Sequence, residues 1–127
     1  MAIKLLIVDD SSVMRSMIVK ALRMSGIELS AIHQAGNGKE GLDRLDEHSI
    51  DLAIIDINMP VMNGEEMIDC MRGRPDTSQI PVIVISTEGS EARIKQLKEK
   101  GARFIHKPFT PERIRDVINE LVGRQNA

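Results

Sequence analysis

Short, continuously apolar runs alternate along the chain with longer segments in which apolar residues recur every three or four positions. Runs of the first kind are typical of buried parallel strands, and segments of the second kind are typical of amphipathic helices. We expect the helices between the strands and after the last of them. The predicted strands are Ile3–Val8, Leu29–Gln34, Leu52–Ile55, Pro81–Ile85 and Arg103–His106.

Start and stop signals support the helical segments. Ser11 or Ser12 can cap the first helix, which Gly26 ends. Thr110, followed by Pro111, provides the cap and the first residue of the last helix. Methionines at helical spacing are predicted to lie in the core rather than in a recognition groove. The predicted buried residues of the first, third and last helices are Met14, Met17, Ile18, Ala21, Leu22, Met67, Met71, Ile114, Val117, Ile118, Leu121 and Val122.

This alternation predicts a doubly wound α/β fold. Five parallel strands form an open sheet, and right-handed crossovers place helices on both of its faces. No linker or change of composition interrupts the chain, so we expect one domain over residues 1–127. In sheets of this class the ligand site lies outside the carboxyl ends of the strands. The residues that follow the strands are therefore the first candidates for function.

Composition narrows the class of protein further. An apolar fraction of 42% with 28% charged residues is ordinary for a folded, water-soluble domain. A net charge of −2, two Phe and no Trp or Tyr argue against nucleic acid as a partner. Cys70 is alone, and no apolar run is long enough for a signal peptide or a membrane span. We expect a cytoplasmic protein without an intrachain disulfide that binds neither nucleic acid nor membranes.

Polar residues with complementary chemistry follow four of the predicted strands. Asp9 and Asp10 follow the first, Asp56 the third, Ser86 the fourth and Lys107 the fifth. If the first and third strands are neighbours, the carboxylates crowd together and demand a cation. Magnesium suits them, because it takes hard oxygen ligands and is usually held by carboxylates together with a phosphate. A carboxylate nucleophile, a lysine and a hydroxyl then form a site for a transferred phosphoryl group.

The order and spacing of these residues resemble the receiver-domain signature of two-component response regulators. The resemblance rests on Val8-Asp9-Asp10, the run Asp56–Gly64, Ser86 and Lys107-Pro108-Phe109, and it covers the whole chain. It implies a flavodoxin-like sheet with strand order 2-1-3-4-5 and five helices. It also implies a cis peptide bond between Lys107 and Pro108.

The resemblance further implies the roles of the site residues. Asp56 would accept the phosphoryl group, and Lys107 would contact it. Asp9, Asp10 and Asp56 would bind magnesium through their carboxylates, and Asn58 through its main-chain carbonyl. The protein would then be a phosphorylation switch of the kind found in chemotaxis, not a turnover enzyme.

By the same resemblance, phosphorylation changes a surface that a partner protein binds. Ser86 would move towards the phosphoryl group, and Phe104, which stands where many chemotaxis regulators have tyrosine, would repack. This would change the face made by the fourth helix, the fifth strand and the fifth helix. The implied partners are a histidine kinase and a downstream protein, for which the flagellar motor switch is one candidate, and a phosphatase is a further one. Asn58 and Glu88 would flank the path of the hydrolytic water and shorten the life of the phosphoryl group.

Three alternatives stay open at this point. A pseudo-receiver that binds partners without phosphorylation would usually lack an acid or the lysine, and here all are present. The chain could also be a receiver domain cut from a larger regulator. A metal-dependent phosphohydrolase with an Asp nucleophile would carry a second carboxylate two residues beyond it, where this chain has Asn58. An amide cannot transfer that proton, so the phosphohydrolase is disfavoured.

Other patterns are interpreted as structural. Gly36–Gly41 matches the dinucleotide fingerprint, but it follows a weak second strand that we expect at an edge of the sheet. The charged run Arg93–Lys100 is typical of a solvated helix face, with a docking surface as the alternative. The histidines His33, His48 and His106 match no metal-ligand spacing and receive no role.

Overall fold

Strands and helices alternate along the whole described part of the chain. The computed structural model describes residues 2–87 and 89–125. Its elements in chain order are β1 Ile3–Val8, α1 Ser12–Met24, β2 Leu29–Ala35, α2 Gly38–Glu47, β3 Leu52–Ile55, α3 Gly64–Arg72, β4 Val82–Ser86, α4 Glu91–Glu99, β5 Ala102–His106 and α5 Pro111–Gln125. The predicted strands differ from these by no more than one residue at an end.

The strands form one parallel sheet in the order β2-β1-β3-β4-β5. In this register Leu6 of β1 faces His33 of β2 on one side and Ala53 of β3 on the other. The doubly wound fold class and the strand order are therefore confirmed. The order reverses between β1 and β3, which is the place where sheets of this class bind ligands.

Two hydrophobic layers enclose the sheet. On one face β1 directs Leu6 and Val8 into a core that contains buried residues of α2, α3 and α4. On the other face Leu5 and Ile7 pack with buried residues of α1 and α5. Both sides of the central strands are covered, which explains why their sequences are continuously apolar rather than alternating. No helix in the described ranges is long and apolar enough to cross a membrane.

The predicted helix ends are present. The Ser11 hydroxyl accepts a hydrogen bond from the Met14 amide at 3.1 Å, and the Thr110 hydroxyl accepts one from the Arg113 amide at 3.1 Å. Gly26 adopts a φ of +81°, a left-handed conformation that glycine takes at no steric cost after a helix. These local contacts satisfy backbone groups that the helices leave unpaired.

One part of the predicted core is wrong. Met17 is 52% exposed, whereas its neighbour Ile18 is buried against the sheet. Each step along an α-helix turns the side chain by about 100°, so only one of two consecutive residues can lie at the centre of the buried face. Met67 and Met71 are fully buried as predicted, and Met14 is partly buried.

The glycines of the 36–41 run are explained by packing. The Gly38 amide donates to the Met62 carbonyl at 2.9 Å, and a β-carbon on Gly38 would lie 2.7 Å from Met62 Cγ. A β-carbon on Gly41 would lie 2.7 Å from Met67 Cε. Both glycines let α2 approach α3 and the loop before it. β2 is an edge strand, as expected, so the run does not stand at the switch point where dinucleotides bind.

Candidate functional site

The candidate residues converge at the carboxyl edge of the sheet. Asp9 follows β1, Asp56 follows β3, Ser86 ends β4 and Lys107 follows β5. β1 and β3 are neighbours, and the Asp56 amide donates to the Val8 carbonyl at 2.9 Å. Parallel strands end on the same edge, so residues far apart in sequence meet there.

The carboxylates of Asp9, Asp10 and Asp56 form a cluster. One oxygen from each lies within 4.8 Å of the others. Asp9 is 2% exposed and Asp56 9%, while Asp10 is exposed. Asp9 Oδ1 also accepts a hydrogen bond from the Ser11 amide at 2.9 Å, which fixes the carboxylate at the start of α1. Three hard oxygen donors at this spacing fit a divalent cation such as Mg²⁺.

Lys107 opposes the acidic charge. Its Nζ lies 3.4 Å from Asp9 Oδ2 and 3.6 Å from Asp56 Oδ1. Its amide donates to the Ser86 carbonyl at 3.0 Å, and the peptide bond from Lys107 to Pro108 is cis, as the resemblance implied. Lys107 pairs with two of the three clustered carboxylates, so the cluster keeps an excess of negative charge that a cation could balance.

The electrostatics of Asp56 reflect this imbalance. Burial raises the pKa of Asp56 above 3.8, and the neighbouring Asp9 raises it further. Lys107 and the amide of Ile57 lower the same pKa, but they do not cancel the effect. Ionised Asp56 is therefore held at a cost in free energy, which a bound cation would relieve.

Gly64 fixes the loop that follows Asp56, a role that sequence reasoning missed although this glycine belongs to the quoted run. Its amide donates to the Ile57 carbonyl at 2.8 Å, and α3 begins at this residue. A β-carbon on Gly64 would overlap the Asp56 carbonyl oxygen and lie 3.0 Å from the carbonyl carbon. The loop between them turns at Val61, which has a φ of +68° and is 78% exposed.

The four remaining candidates are Ser86, Phe104, Asn58 and Glu88. Ser86 is 1% exposed at the end of β4, next to the site. Phe104 of β5 is 8% exposed and packs its ring edge-on against that of His106, with the centroids 4.7 Å apart. The Asn58 side chain is exposed. Glu88 lies outside the described residues.

Arg15 is a site neighbour that the sequence analysis did not identify. Its Nη1 donates to the Asp9 carbonyl at 2.6 Å, and its Nε donates to Gln34 Oε1 at 3.0 Å. The guanidinium thus joins the loop that follows β1 to the end of β2. Because this contact joins three elements, no local sequence signal marks it.

We expect Arg15→Gln to weaken Mg²⁺ binding about tenfold, because groups that orient metal ligands typically contribute at least that much to affinity. Arg15→Lys keeps the charge but loses the planar donor fork, so it should restore little of the affinity. Isothermal titration with Mg²⁺ measures both. Arg23→Gln is the control, since Arg23 is an exposed residue of the same helix. Full affinity in Arg15→Lys would show that the planar donor fork of Arg15 is not needed to position Asp9.

The charged run on α4 is more than a solvated face. Arg93 Nε lies 2.5 Å from Glu65 Oε1, and Lys100 Nζ lies 2.9 Å from Asp69 Oδ1. Both acids belong to α3, so these ion pairs join the two helices. Each is partly exposed, and we expect them to position α4 more than to stabilise the fold.

Two of the histidines treated as scattered meet in the structure. The rings of His33 and His48 stack with centroids 3.8 Å apart and planes 16° from parallel. Burial, together with the charges of His48 and Arg44, lowers the pKa of His33, while Glu47 opposes the shift. The pair lies between β2 and the end of α2, away from the candidate site.

Comparison with known proteins agrees with the fold and identifies the family. The family model for the response regulator receiver domain matches residues 5–119, so the chain belongs to that family. Within it the chain is CheY-like. Chemotaxis protein CheY1 of Helicobacter pylori is 38% identical over 122 residues, which cover 94% of this chain and 97% of the relative.

Solved structures of chemotaxis proteins superimpose on the chain. CheY4 of Vibrio cholerae matches with a TM-score of 0.83 and 31% identity, over 95% of this chain and 99% of that one. A chain from the CheX–CheY–BeF3–Mg²⁺ complex of Borrelia burgdorferi matches with a TM-score of 0.84 and 27% identity, over 94% of this chain and 89% of that one. The protein is thus a receiver domain of the type found in chemotaxis response regulators.

Proposed function

We propose that the chain is a phosphorylation switch in which Asp56 accepts a phosphoryl group from a histidine kinase. The observation that carries the proposal is the cluster of Asp9, Asp10 and Asp56 with Lys107 within 3.6 Å of two of the carboxylates. The complete set of acids with the lysine favours this function over a pseudo-receiver. The Borrelia relative, solved with BeF3 and Mg²⁺, supports the same chemistry.

In the transfer step an oxygen of Asp56 attacks phosphorus in a phosphohistidine. The new O–P bond forms as the P–N bond breaks, and the imidazole leaves with the bonding pair and takes a proton from water. Lys107 and the Ser86 hydroxyl would stabilise the negative oxygens of the transferred group. Asp9, Asp10, Asp56 and the Asn58 carbonyl would hold Mg²⁺, which when bound neutralises charge between donor and pocket.

The output would pass through Ser86 and Phe104. Ser86 lies on β4, and Phe104 lies on the neighbouring strand β5. In the register of these strands Ser86 pairs with His106, and Val84 pairs with Phe104. The side chains of Ser86 and Phe104 are both buried. Because protein interiors are closely packed, a shift of Ser86 would leave space for Phe104 to fill. We infer that this exchange alters the face of α4, β5 and α5, where a chemotaxis output protein such as the flagellar motor switch would bind. A phosphatase would reset the switch.

Beryllofluoride tests this switch. With Mg²⁺ present it should move amide resonances from Asp56 through Ser86 to Phe104 and Lys107, and along α4, β5 and α5, because a switch needs two discrete arrangements. Ser86→Ala should leave Mg²⁺ affinity unchanged but confine the shifts to the acidic cluster. Amide spectra with and without beryllofluoride measure the spread.

The control for that experiment is Ser49→Ala, at an exposed loop position before β3. It should respond as the wild type does. If the wild-type shifts stay confined to the metal ligands, the site stores phosphate without signalling, and the proposed output face is wrong.

Asn58 and Glu88 are expected to set the lifetime of the phosphoryl group. Polar side chains beside the attacking water would orient it in line with phosphorus. Asn58→Met and Glu88→Leu should each slow hydrolysis about tenfold, which corresponds to about 1.4 kcal/mol in the barrier. Release of phosphate from the phosphorylated protein measures the rate, with the exposed α5 variant Glu112→Leu as control. Unchanged rates in both variants would show that Asn58 and Glu88 do not shorten the life of the phosphoryl group.

A further inference from the structure

The strand β2 forms an open edge of the sheet. Within the described ranges it pairs with β1 alone, so its outer edge carries backbone groups that have no strand partner. Natural edge strands are usually blocked by lysine, proline or a bulge. β2 contains no lysine and no proline, and its register shift lies beside Ser30. A regular stretch, Ala31–Ala35, is left open.

A groove lies beside this edge on the α1 side. It has a volume of about 450 Å³ and is lined by Gln34 of β2 and by residues of α1: Ser16, Val19, Lys20, Arg23 and Met24. Met24 is 67% exposed. Ile32 packs into the core layer on the α1 side, and Gln34, two residues on, points to the same face. A strand added beside β2 would direct every second side chain into this groove.

The charge of the groove favours one kind of occupant. α1 contains the cations Arg15, Lys20 and Arg23 and no acidic residue. Arg15 is engaged by Asp9 and Gln34. The side chains of Lys20 and Arg23, in contrast, make no hydrogen bond or ion pair within ranges 2–87 and 89–125, and both residues are exposed. Two uncompensated cations therefore border an apolar groove.

We propose that β2 is a docking edge to which an extended, acidic segment of a partner protein adds as a sixth strand. Backbone hydrogen bonds to Ala31–Ala35 would supply affinity, and apolar side chains would fill the groove beside Met24. Carboxylates of the segment would pair with Lys20 and Arg23. A second copy of this chain fits less well, because it would bring the same cations and no acid from α1 to the contact.

A heptapeptide capped at both ends is the probe; its odd positions alternate valine and glutamate and its even positions are threonine, so valine and glutamate share one face of the strand. Its addition to isotope-labelled protein should shift the amides of Ala31–Ala35 and of α1 near Lys20 and Arg23, and slow amide exchange along β2. The double variant Lys20→Glu with Arg23→Glu should bind it about tenfold more weakly at low salt, because both ion pairs are replaced by repulsion between like charges. A peptide with lysine for glutamate should show the opposite preference.

Two controls separate strand addition from other binding. A peptide of the same sequence with N-methylated backbone amides should lose binding, since it cannot continue the sheet. Asp56→Asn should bind the peptide as the wild type does, so the result is independent of phosphorylation. The proposal is overturned if no shifts appear at β2, if the methylated peptide binds equally well, or if the protein dimerises through β2 instead. Equal shifts produced by anionic lipid vesicles would likewise assign the surface to a membrane.

Discussion

Asp56→Asn is expected to abolish phosphorylation. Incubation with acetyl phosphate and Mg²⁺ should add one phosphoryl group to the wild type and none to the variant, because an amide oxygen is too weak a nucleophile to replace a carboxylate. Intact-mass measurement detects the difference directly. Omitting Mg²⁺ should prevent labelling of the wild type as well, since the pocket's excess negative charge would then repel the donor.

The same variant should be more stable than the wild type at neutral pH. The pKa of Asp56 is raised in the folded protein above its value of 3.8, so the unfolded chain releases this proton more readily. Ionisation of Asp56 therefore lowers stability as the pH rises through the folded-state pKa, and Asn removes that penalty. Urea unfolding near pH 7 without Mg²⁺ measures it.

Stability and labelling together make the test decisive. A stable, folded Asp56→Asn that is not labelled assigns the acceptor. Equal labelling of the variant would place the phosphoryl group elsewhere. The matched control is Asp43→Asn, an exposed carboxylate on α2 that does not belong to the cluster, which should be labelled as fully as the wild type.

Gly64→Ala is expected to damage both the fold and the site. The added β-carbon would overlap the Asp56 carbonyl, which is backbone and cannot rotate away as a side chain would. Overpacking of this kind costs about 1–3 kcal/mol. For a domain of this size the loss corresponds to a fall in melting temperature of roughly 3–10 °C. Thermal unfolding measures it, and the displaced Asp56 should also be phosphorylated more slowly.

Gly73→Ala provides the control at the other end of α3. Gly73 has a φ of −83°, and a β-carbon there would meet nothing closer than the Asp69 carbonyl oxygen at 3.5 Å, an ordinary contact. It should change stability and labelling little. If Gly64→Ala were as stable and as readily labelled as Gly73→Ala, the close approach of α3 to Asp56 would not constrain the site.

The sequence by itself determined the class of fold and most of the candidate site. Strand and helix periods are local properties, so continuous apolar runs located every strand to within one residue at each end, and capping signals located the starts of the first and last helices. Strand ends in parallel sheets share one edge, and this rule brought Asp9, Asp56, Ser86 and Lys107 together before any distance was known. Their identities as oxygen donors and a cation pointed to the chemistry.

Tertiary structure alone decided the contacts between distant elements. The way the helices lie on the sheet decides three of these contacts. Arg15 binds Asp9 and Gln34, and His33 stacks on His48. A β-carbon at position 64 would overlap the Asp56 carbonyl, so this position requires glycine. Met17 is exposed and β2 has an open edge because of where the other elements lie, which the helix or strand propensity of a residue does not reveal. Periodicity gives the direction of a side chain relative to its own helix, but the angle and distance to the next element follow from packing of the whole chain.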